Sequence, residues 1–468
     1  MWVNPKLIDL ITSFLKQFKE NNNKISLQEL KYNSREDERS SLFLELFSSI
    51  YEAYQDRLNQ NEEIDFGDMI SKASYAINSN LYLSNWKYII IDEFQDISEG
   101  RSHLIQSLLE QNDNTKLFAV GDDWQAIYRF AGSNHQIMKN FRKIFGKSSI
   151  VKLDTTFRFN NKISEASEKF ITKNPSQIKK KLNTLKYSST PQVFLHWSDL
   201  EIFEAVKKCL SHILANKNTL GKTLQILSRY NKSKLNDNQL KYISTLWKGD
   251  VLRQKTVHAS KGLEADFVII TDLNSVPLGF PGSKENDPIM NLVLAKEDKY
   301  KNSEERRLLY VALTRSREQT HIIADCYNKS SFASELEVEN DCVKVIETEM
   351  ERVRCTKCNH GYLSKKVFDG DVVFYCSNYP ICRNRGATCS SCKKDLVIKK
   401  IKKSGESLSN RENYELICRN NECSKSFDSC FKCNDGVLLL IDGSNGKFFG
   451  CHNYSNSRCL GKKDISRI

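Results

Sequence analysis

The sequence predicts an α/β protein followed by a tail of small cysteine-rich modules. Two short apolar runs, residues 88–91 and 117–120, each stop at a polar cluster. An apolar run without alternation is typical of a parallel strand that is covered on both faces. The tail is indicated by composition, because twelve of the fifteen cysteines lie between Cys355 and Cys459.

The polar cluster after the first run begins with Asp92 and Glu93. Ligands bind beyond the carboxyl ends of such strands, so we expect both carboxylates at that edge of the sheet. There Asp92 can hold magnesium through its water shell, and Glu93 can take a proton from a water that attacks a phosphate. An ordinary strand-ending loop is the alternative, because a short motif alone carries a high risk of a false positive.

Residues 92–96 are the first of six segments that follow one another in a fixed order. The other five are residues 121–130, 156–159, 226–230, 256–264 and 304–315. In this order they resemble motifs II, III, IV (in two parts), V and VI of the UvrD/Rep family of DNA helicases. Trp124 makes the second segment resemble the corresponding segment of the helicase IV-like branch of the family. The resemblance covers roughly residues 60–330, and six ordered matches make coincidence implausible.

The resemblance implies RecA-like P-loop NTPase lobes, of which the first is partial in this sequence. It also implies the cofactors ATP and Mg²⁺, and ATP-driven 3′ to 5′ movement on single-stranded DNA with duplex separation as its consequence. The expected partners are single-stranded DNA and DNA junctions. A non-catalytic DNA-binding fragment and one half of a split helicase are the alternatives.

Five further residues take roles around the nucleotide through this resemblance. Arg158 and Arg315 match two arginine fingers, which suit phosphoryl transfer because a guanidinium is a planar fork of donors that is never neutral. Gln125 matches the glutamine that senses the terminal phosphate and orients water. Phe157 takes the place of the aromatic residue that stacks on adenine, although the family more often has Tyr there, and Glu264 matches a carboxylate near the nucleotide.

Four other residues match positions where the family contacts single-stranded DNA, namely Trp124, Tyr128, Phe130 and His258. Stacking of bases on aromatic rings is tolerant of sequence, which a translocating motor requires. Packing in the core is the alternative for His258 and Phe130, because aromatic side chains are more often core than ligand. The lysine run at residues 179–181 is interpreted as a solvated face.

The loop that cradles phosphates in P-loop proteins is not found in the sequence. No stretch reads Gly, four residues, then Gly-Lys-Ser or Gly-Lys-Thr. Gly146-Lys147-Ser148 and Gly221-Lys222-Thr223 lack the first glycine and are interpreted as loop residues. Because only 91 residues precede Asp92, we expect that the chain begins partway through the motor, and that an upstream polypeptide carrying the loop is a partner.

The predicted domains follow these segments. Residues 1–60, with a helical apolar pattern, are expected to be a helical remnant of the subdomain inserted in the first lobe. The first helix is too short and too interrupted by lysine to span a membrane, so we expect a cytoplasmic protein without a membrane partner. The remaining predicted domains are a partial first lobe (61–148), a second lobe (149–340) and three zinc ribbons (351–386, 387–427 and 428–464).

The ribbons are predicted from three repeats that each contain a Cys-x-x-Cys pair and a second pair. A Cys-x-x-Cys turn supplies two thiolates to one metal, and a distant second pair closes a tetrahedral zinc site. Disulfides and an iron–sulfur cluster are the alternatives. The three sets of candidate Zn²⁺ ligands are Cys355, Cys358, Cys376 and Cys382; Cys389, Cys392, Cys418 and Cys423; and Cys430, Cys433, Cys451 and Cys459.

These repeats resemble the zinc ribbons at the C-terminal end of bacterial type IA topoisomerases. Residues 351–468 carry 22 lysines and arginines against 12 aspartates and glutamates, a surplus that suits a nucleic-acid partner. Each zinc bound by four thiolates keeps a formal charge of −2, which lowers the surplus of +10 to about +4. Stacking on DNA is therefore predicted for Phe374, Tyr375, Phe448 and Phe449, although some of these rings must also fill small cores.

Overall fold

The computed structural model describes most of the chain, in fourteen stretches. These are residues 5–21, 26–198, 200–282, 287–326, 328–339, 341–347, 353, 355–358, 361–368, 371–401, 414–420, 422–433, 436–443 and 446–464. The predicted domain boundaries at residues 1, 340 and 351 lie outside these stretches. The chain divides into two compact units, Met1–Thr348 and Glu349–Ile468, and each is described by itself.

The described residues of the first unit form twelve α-helices, six short 3-10 helices and ten strands. The helices are α1 Pro5–Glu20, α2 Leu27–Asn33, α3 Glu38–Gln60, α4 Phe66–Asn78, α5 Glu99–Gln111, α6 His135–Lys139, α7 Phe141–Phe145, α8 Asn161–Ile171, α9 Ile202–Asn216, α10 Asp237–Leu246, α11 Ser303–Leu313 and α12 Ser331–Glu337. The strands are β1 Tyr88–Ile91, β2 Lys116–Ala119, β3 Thr155–Thr156, β4 Asn183–Thr184, β5 Val193–Ser198, β6 Thr223–Ser228, β7 Val251–Thr256, β8 Ala265–Leu273, β9 Ser316–Asp325 and β10 Val343–Glu347.

The helical period of the N-terminal residues is confirmed by α1, which packs its apolar face on α3. The ring of Phe14 lies 5.0 Å from that of Phe43 and 4.7 Å from that of Phe47, both edge to face. At the end of α1 the buried ammonium of Lys19 pairs with Asp65 at 2.6 Å and Asp68 at 2.8 Å. The first helix is thereby fixed to the start of α4. None of the described helices is long and apolar enough to cross a membrane.

Both strands predicted before the polar clusters are present, and β1 pairs with β2 in parallel. The prediction that they are covered on both faces is wrong for this structure. Tyr88 and Ile90 are 71% and 74% exposed, and Phe118 on β2 is 62% exposed. Helices cover the opposite face only, where Ile91 and Leu117 pack on a cluster that includes Phe94, Ile97 and Ile105. This two-stranded sheet therefore presents one apolar face to solvent.

The main layer of the first unit is a six-stranded sheet in the order β10-β5-β9-β8-β6-β7, with parallel pairing throughout. One face packs against α8, α11 and α12 around Val268 and Ile322. The other face packs against α9 and α10 around Phe267 and Ile269. Burial of both faces explains the continuous apolar runs of these strands. A mixed α/β fold with such a sheet is consistent with a RecA-like helicase core.

The segment after β2 is tied to the six-stranded sheet by the buried side chain of Arg307 on α11. Its Nε donates to the Ala126 carbonyl at 2.7 Å, and Nη1 pairs with Asp298 at 2.6 Å. His135 on α6 also contacts Asp298, at 3.1 Å. Burial alone would raise the pKa of Asp298, but hydrogen bonds from His135 and Arg307 outweigh it and hold the pKa well below its ordinary value. The carboxylate therefore stays charged between its partners.

The second unit contains three small antiparallel sheets. They consist of β11 Leu363–Phe368 and β12 Asp371–Cys376; β13 Val397–Ile401, β14 Tyr414–Cys418 and β15 Ser426–Phe427; and β16 Leu438–Gly443, β17 Gly446–Cys451 and β18 Lys462–Asp464, with the short helix α13 Tyr454–Ser457 before β18. In each sheet the third cysteine of a set ends a strand, at Cys376, Cys418 and Cys451. The strand ends therefore place these thiols beside the Cys-x-x-Cys turns.

Candidate functional site

A cleft of about 680 Å³ in the first unit is lined by four of the residues predicted to surround the nucleotide, namely Gln125, Phe157, Arg158 and Glu264. Phe157 and Arg158 follow β3, which pairs in parallel with β4. The side chain of Phe157 is 69% exposed, so a ring face is open to a stacking partner. Residues far apart in the chain thus meet at one cavity.

The two predicted carboxylates lie at the carboxyl end of β1 and are exposed. Glu93 has a φ of 51°, in the left-handed region that is uncommon outside glycine and recurs at functional sites. Its backbone N–H donates to Asp92 Oδ1 at 2.8 Å. Glu93 Oε2 accepts from Gln95 Nε2 at 2.5 Å, so the turn orients both acidic side chains.

A chain of hydrogen bonds runs from Glu93 to Arg315. Gln95 Oε1 accepts from the backbone N–H of Asp122 at 2.9 Å, and Asp122 Oδ2 accepts from Gln125 Nε2 at 2.8 Å. Gln125 Oε1 in turn accepts from Arg315 Nη2 at 3.4 Å. Burial, followed by repulsion from Arg158, lowers the pKa of Arg315 to about 10, so the guanidinium remains charged at neutral pH. These contacts connect the acidic turn after β1 to the arginine at the end of α11.

The second predicted arginine finger is held by a carboxylate. Arg158 Nε lies 3.0 Å from Glu264 Oε2, and Arg317 donates a hydrogen bond to the other oxygen of the same carboxylate. The hydrogen bonds from Arg317, opposed by burial and supported by Arg158, lower the pKa of Glu264. An anion that enters the cleft can therefore compete with Glu264 for two guanidinium groups.

Two lysines of this site received no catalytic role from sequence. Lys261, inside the segment 256–264, has a buried ammonium that lies 2.5 Å from Asp96 and 3.4 Å from Glu93. It also donates to the Gln125 carbonyl at 3.1 Å. Lys180, expected to be solvated, instead pairs with Asp122. Membership of a motif was a usable signal for Lys261, whereas nothing in the lysine run distinguished Lys180.

Three of the residues predicted to contact DNA come together in one cluster. The ring of Phe130 lies 5.1 Å from that of His258, and the ring of Tyr128 lies 6.0 Å from it. The Tyr128 hydroxyl donates to the His258 carbonyl at 3.1 Å. Burial, followed by the charge of Arg229, lowers the pKa of His258 to about 4, so the ring is neutral at pH 7. Phe130 is 49% exposed and supplies the open face.

Trp124 and Phe374 do not lie where the stacking prediction requires. Trp124 is fully buried, donates from Nε1 to the Ile178 carbonyl at 3.0 Å, and packs edge to face on Tyr310. Phe374 is 2% exposed and packs inside the first of the small sheets, close to Gly386. Neither ring has a face open to a base, so we correct both assignments to core residues.

The twelve cysteines of the tail form the three sets expected from the repeats, and in each set the four Sγ atoms lie within 4.8 Å of one another. The shortest Sγ–Sγ separations in the three sets are all 3.6 Å. A disulfide requires about 2.05 Å, which excludes that alternative here. A tetrahedral ion with metal–sulfur bonds of about 2.3 Å separates its sulfurs by about 3.8 Å. The sets therefore fit zinc-binding modules with one ion each.

Amide groups around the thiols support this interpretation. Asn384 Nδ2 donates to Cys355 Sγ at 3.2 Å. Asn378 and Asn453, each two residues after the third cysteine of a set, both direct Nδ2 toward a thiol of the Cys-x-x-Cys pair, at 3.7 Å. Such contacts stabilise a thiolate and orient it for a metal.

The other three aromatic residues predicted in the tail are half-buried. Arg385 lies over the Tyr375 ring at 4.8 Å, and Lys462 lies over the Phe448 ring at 4.7 Å. Phe449, the neighbour of Phe448 on β17, packs against the thiol cluster of the third set. Tyr375 and Phe448 thus combine an accessible ring edge with a nearby cation, whereas Phe449 is shared between core and surface.

Comparison with known protein families finds two regions of similarity in the first unit. Residues 4–146 match the UvrD/REP helicase N-terminal domain, and residues 245–326 match the UvrD-like helicase C-terminal domain. The segments with Glu93, Gln125 and Arg315 therefore lie within the regions that are similar to these two helicase domains.

Individual relatives are DNA helicases. DNA helicase IV of Escherichia coli (strain K12) is 36% identical over 289 residues, which are 62% of this chain and 41% of that protein. ATP-dependent DNA helicase Rep of Buchnera aphidicola subsp. Schizaphis graminum (strain Sg) is 29% identical over 191 residues, or 40% of this chain and 29% of that protein. The chain thus spans less than half the length of these curated relatives.

Proposed function

We propose that this chain is the catalytic part of an ATP-dependent DNA helicase that moves 3′ to 5′ on single-stranded DNA. The observation that carries the proposal is the chain of hydrogen bonds from Glu93 through Gln95, Asp122 and Gln125 to Arg315. It joins the end of β1 to the end of α11, so both sides of the cleft respond to one phosphate. Coupling of two lobes through a shared nucleotide is what a translocating motor needs.

The residues of the cleft divide the chemistry among them. Phe157 supplies a face for adenine, and Arg158 and Arg315 neutralise the charge that develops on the transferred phosphoryl group. Gln125 orients the attacking water and Glu93 takes its proton. Asp92 would hold Mg²⁺, which neutralises phosphate charge when bound. Glu264 releases Arg158 when the triphosphate competes for it.

The phosphate loop is proposed to come from a polypeptide segment that packs on the exposed face of the β1–β2 sheet. Tyr88, Ile90 and Phe118 form that face, directly before the loop that holds Glu93. The segment would add strands to the unpaired edges of a two-stranded parallel sheet and cover these three side chains. The proposed segment carries the Gly-Lys-Ser or Gly-Lys-Thr loop. The matched residues make up only 41% of DNA helicase IV, so the rest of that relative leaves room for such a segment.

DNA is proposed to follow the aromatic cluster of Tyr128, Phe130 and His258, with sequence-tolerant stacking on Phe130. The three cysteine sets are proposed to bind one Zn²⁺ each and to present Tyr375, Phe448 and Phe449 to single-stranded DNA. The second candidate is a non-catalytic DNA-binding role. The same aromatic residues favour it, because stacking on DNA bases does not require the nucleotide cleft.

The two candidates differ in ATP hydrolysis. We expect little DNA-stimulated hydrolysis by the purified chain alone, and restored hydrolysis when a polypeptide carrying the phosphate loop is added. Glu93→Gln and Arg315→Ala should each reduce the restored rate by at least ~10²-fold. The matched exposed controls Glu110→Gln and Arg142→Ala should leave it unchanged. Hydrolysis that survives both site variants would overturn the catalytic assignment, and absence of hydrolysis in every mixture would favour the non-catalytic candidate.

A further inference from the structure

Three histidines lie together in the first unit, away from the nucleotide cleft and the cysteine sets. His196 on β5 and His321 on β9 lie on neighbouring strands, and His212 on α9 covers them. The ring centroids are separated by 5.2 Å, 5.6 Å and 5.6 Å. One ring nitrogen of each residue lies within 4.8 Å of the other two. The three rings thus form a nearly equilateral triangle.

This triangle has the dimensions of a three-histidine metal site. Three imidazole rings bound to one tetrahedral ion through nitrogens at about 2.0–2.1 Å have centroids roughly 5 Å apart and neighbouring nitrogens about 3.3 Å apart. His196 Nε2 and His321 Nδ1 are separated by 3.0 Å, close to that value, and the candidate ligand nitrogen of His212 lies within 4.8 Å of both. No carboxylate belongs to the cluster in the described residues, and an all-imidazole set suits zinc, cobalt, nickel or copper ions but not Mg²⁺ or Ca²⁺.

The protonation of the three rings leaves lone pairs available. Burial, followed by the charge of His212, lowers the pKa of His196 to about 3, and burial holds the pKa of His321 well below its ordinary value. Burial, followed by the exposed ammonium of Lys344, lowers the pKa of His212. For each ring the shift in pKa favours the neutral form. Among the groups named here, Lys344 is the one whose positive charge repels a metal ion. Solvent screens this charge because Lys344 is exposed.

Surrounding hydrogen bonds fix the orientation and the tautomer of His321. Gln319 Nε2 donates to Gln192 Oε1 at 3.0 Å, which turns the Gln319 carbonyl toward His321. His321 Nε2 lies 3.4 Å from that oxygen, so the proton belongs on Nε2 and the lone pair on Nδ1, which faces His196. His212 Nδ1 is buried and has no hydrogen-bond partner among the described residues. A buried polar nitrogen without a protein partner is accounted for by a bound ion or a water molecule.

We propose that His196, His212 and His321 bind one divalent transition metal ion of the zinc class, which ties α9 to strands β5 and β9. Three protein ligands leave a fourth position for water. His212 is only partly buried, so the ion has a path from solvent. The proposal is independent of ATP hydrolysis, because none of the three residues contacts the cleft. Its competitor is a core pair in which His196 and His321 share one proton.

The test is the zinc content of the full chain, measured by plasma mass spectrometry after removal of loosely bound metal. The wild-type protein should hold one more equivalent of zinc per chain than the His212→Asn variant. The cysteine sets do not affect this difference, because they contribute equally to both proteins. The control His103→Asn, on α5 away from the cluster, should match wild type. Added Zn²⁺ or Co²⁺ should also raise the melting temperature of wild type more than that of His212→Asn.

Equal metal content in wild type and His212→Asn would overturn the proposal. If His212→Asn fails to fold, the wild-type protein decides alone: a melting temperature of the first unit that does not respond to Zn²⁺, Co²⁺ or Ni²⁺ would identify the three rings as a hydrogen-bonded core. A failure of the helicase proposal would change hydrolysis and leave this metal count intact.

Discussion

The ammonium of Lys261 lies between the carboxylates of Asp96 and Glu93, and its side chain is 8% exposed. Burial raises the pKa of Asp96, and Lys261 opposes that increase. Removal of one partner from a buried pair leaves an uncompensated charge, which is the costly case for stability. This cation therefore contacts both the acidic turn and the carbonyl of Gln125 and holds them together.

Replacement Lys261→Met is expected to lower the free energy of unfolding by about 2–4 kcal/mol, because Asp96 is left without its cation. Urea unfolding measures this change. The double variant with Asp96→Asn should recover part of the loss, since the unpaired charge is gone. Lys72→Met, an exposed control on α4, should change the free energy by less than about 0.5 kcal/mol. A similar loss of unfolding free energy in Lys261→Met and in the control Lys72→Met would contradict the role of the Lys261–Asp96 pair.

His258 provides a prediction about pH. Its pKa is about 4 in the folded protein, below the ordinary 6.5, so the folded state binds fewer protons than the unfolded state between these values. Stability that is present above pH 6.5 should therefore be lost as the pH falls from 6.5 toward 4, by about 1–3 kcal/mol. His258→Gln should flatten this part of the profile of unfolding free energy against pH. An unchanged slope in the variant would show that another group carries the dependence.

At the scale of elements, the β1–β2 sheet differs from the six-stranded sheet although both are parallel. Both faces of β8 are covered by helices, whereas Ile90 and Phe118 are exposed on the smaller sheet. A contiguous apolar face with unpaired strand edges is a site of association.

Ile90→Lys is expected to reduce self-association of the isolated chain and to prevent restoration of ATP hydrolysis by the loop-bearing polypeptide. The reason is that a lysine ammonium on this face cannot be buried against an apolar partner without a large cost. Size-exclusion chromatography and the hydrolysis assay measure the two effects. Ile150→Lys, another exposed apolar side chain outside the sheet, is the control and should still permit restoration. Normal restoration by Ile90→Lys would place the docking surface elsewhere.

At the scale of the whole molecule, the two compact units rest on different sources of stability. The first unit has continuous apolar cores on both faces of its large sheet. Two of the small cores in the second unit consist mainly of cysteines, as in the cluster of Cys430, Leu438 and Cys451, and the middle core adds only a few aliphatic side chains to Cys389 and Cys418. Modules of this size need a metal to fold.

Removal of metal by a strong chelator should therefore unfold residues 355–459 and leave the cores of the first unit intact. Proteolysis with identification of the resistant fragment measures this, and re-addition of Zn²⁺ should restore protection. Binding of single-stranded DNA by the full chain should weaken in parallel and should also weaken in the Phe448→Ala variant. Resistance of the tail in the presence of chelator would contradict metal-coupled folding.

Much of the candidate site could be predicted from the order of the motifs. Glu93 was named from its place after a strand, and Gln125, Arg158 and Arg315 were named from the resemblance to helicase motifs. The structure brings them around one cleft or one chain of hydrogen bonds, whereas their catalytic roles stay predictions. The cysteine sets were predictable because a Cys-x-x-Cys turn is itself a local structure.

The sequence by itself determined the α/β class, the two strands before the polar clusters, the ordered segments that resemble helicase motifs and the sets of thiols, because each depends on residue types at short spacing. Only the tertiary structure decided which aromatic rings are buried, as for Trp124 and Phe374, and which face of β1 is bare. It alone brought Lys261 to Glu93 and His212 to His196 and His321. Burial and contacts between distant segments depend on how whole elements pack, and no local pattern encodes that packing.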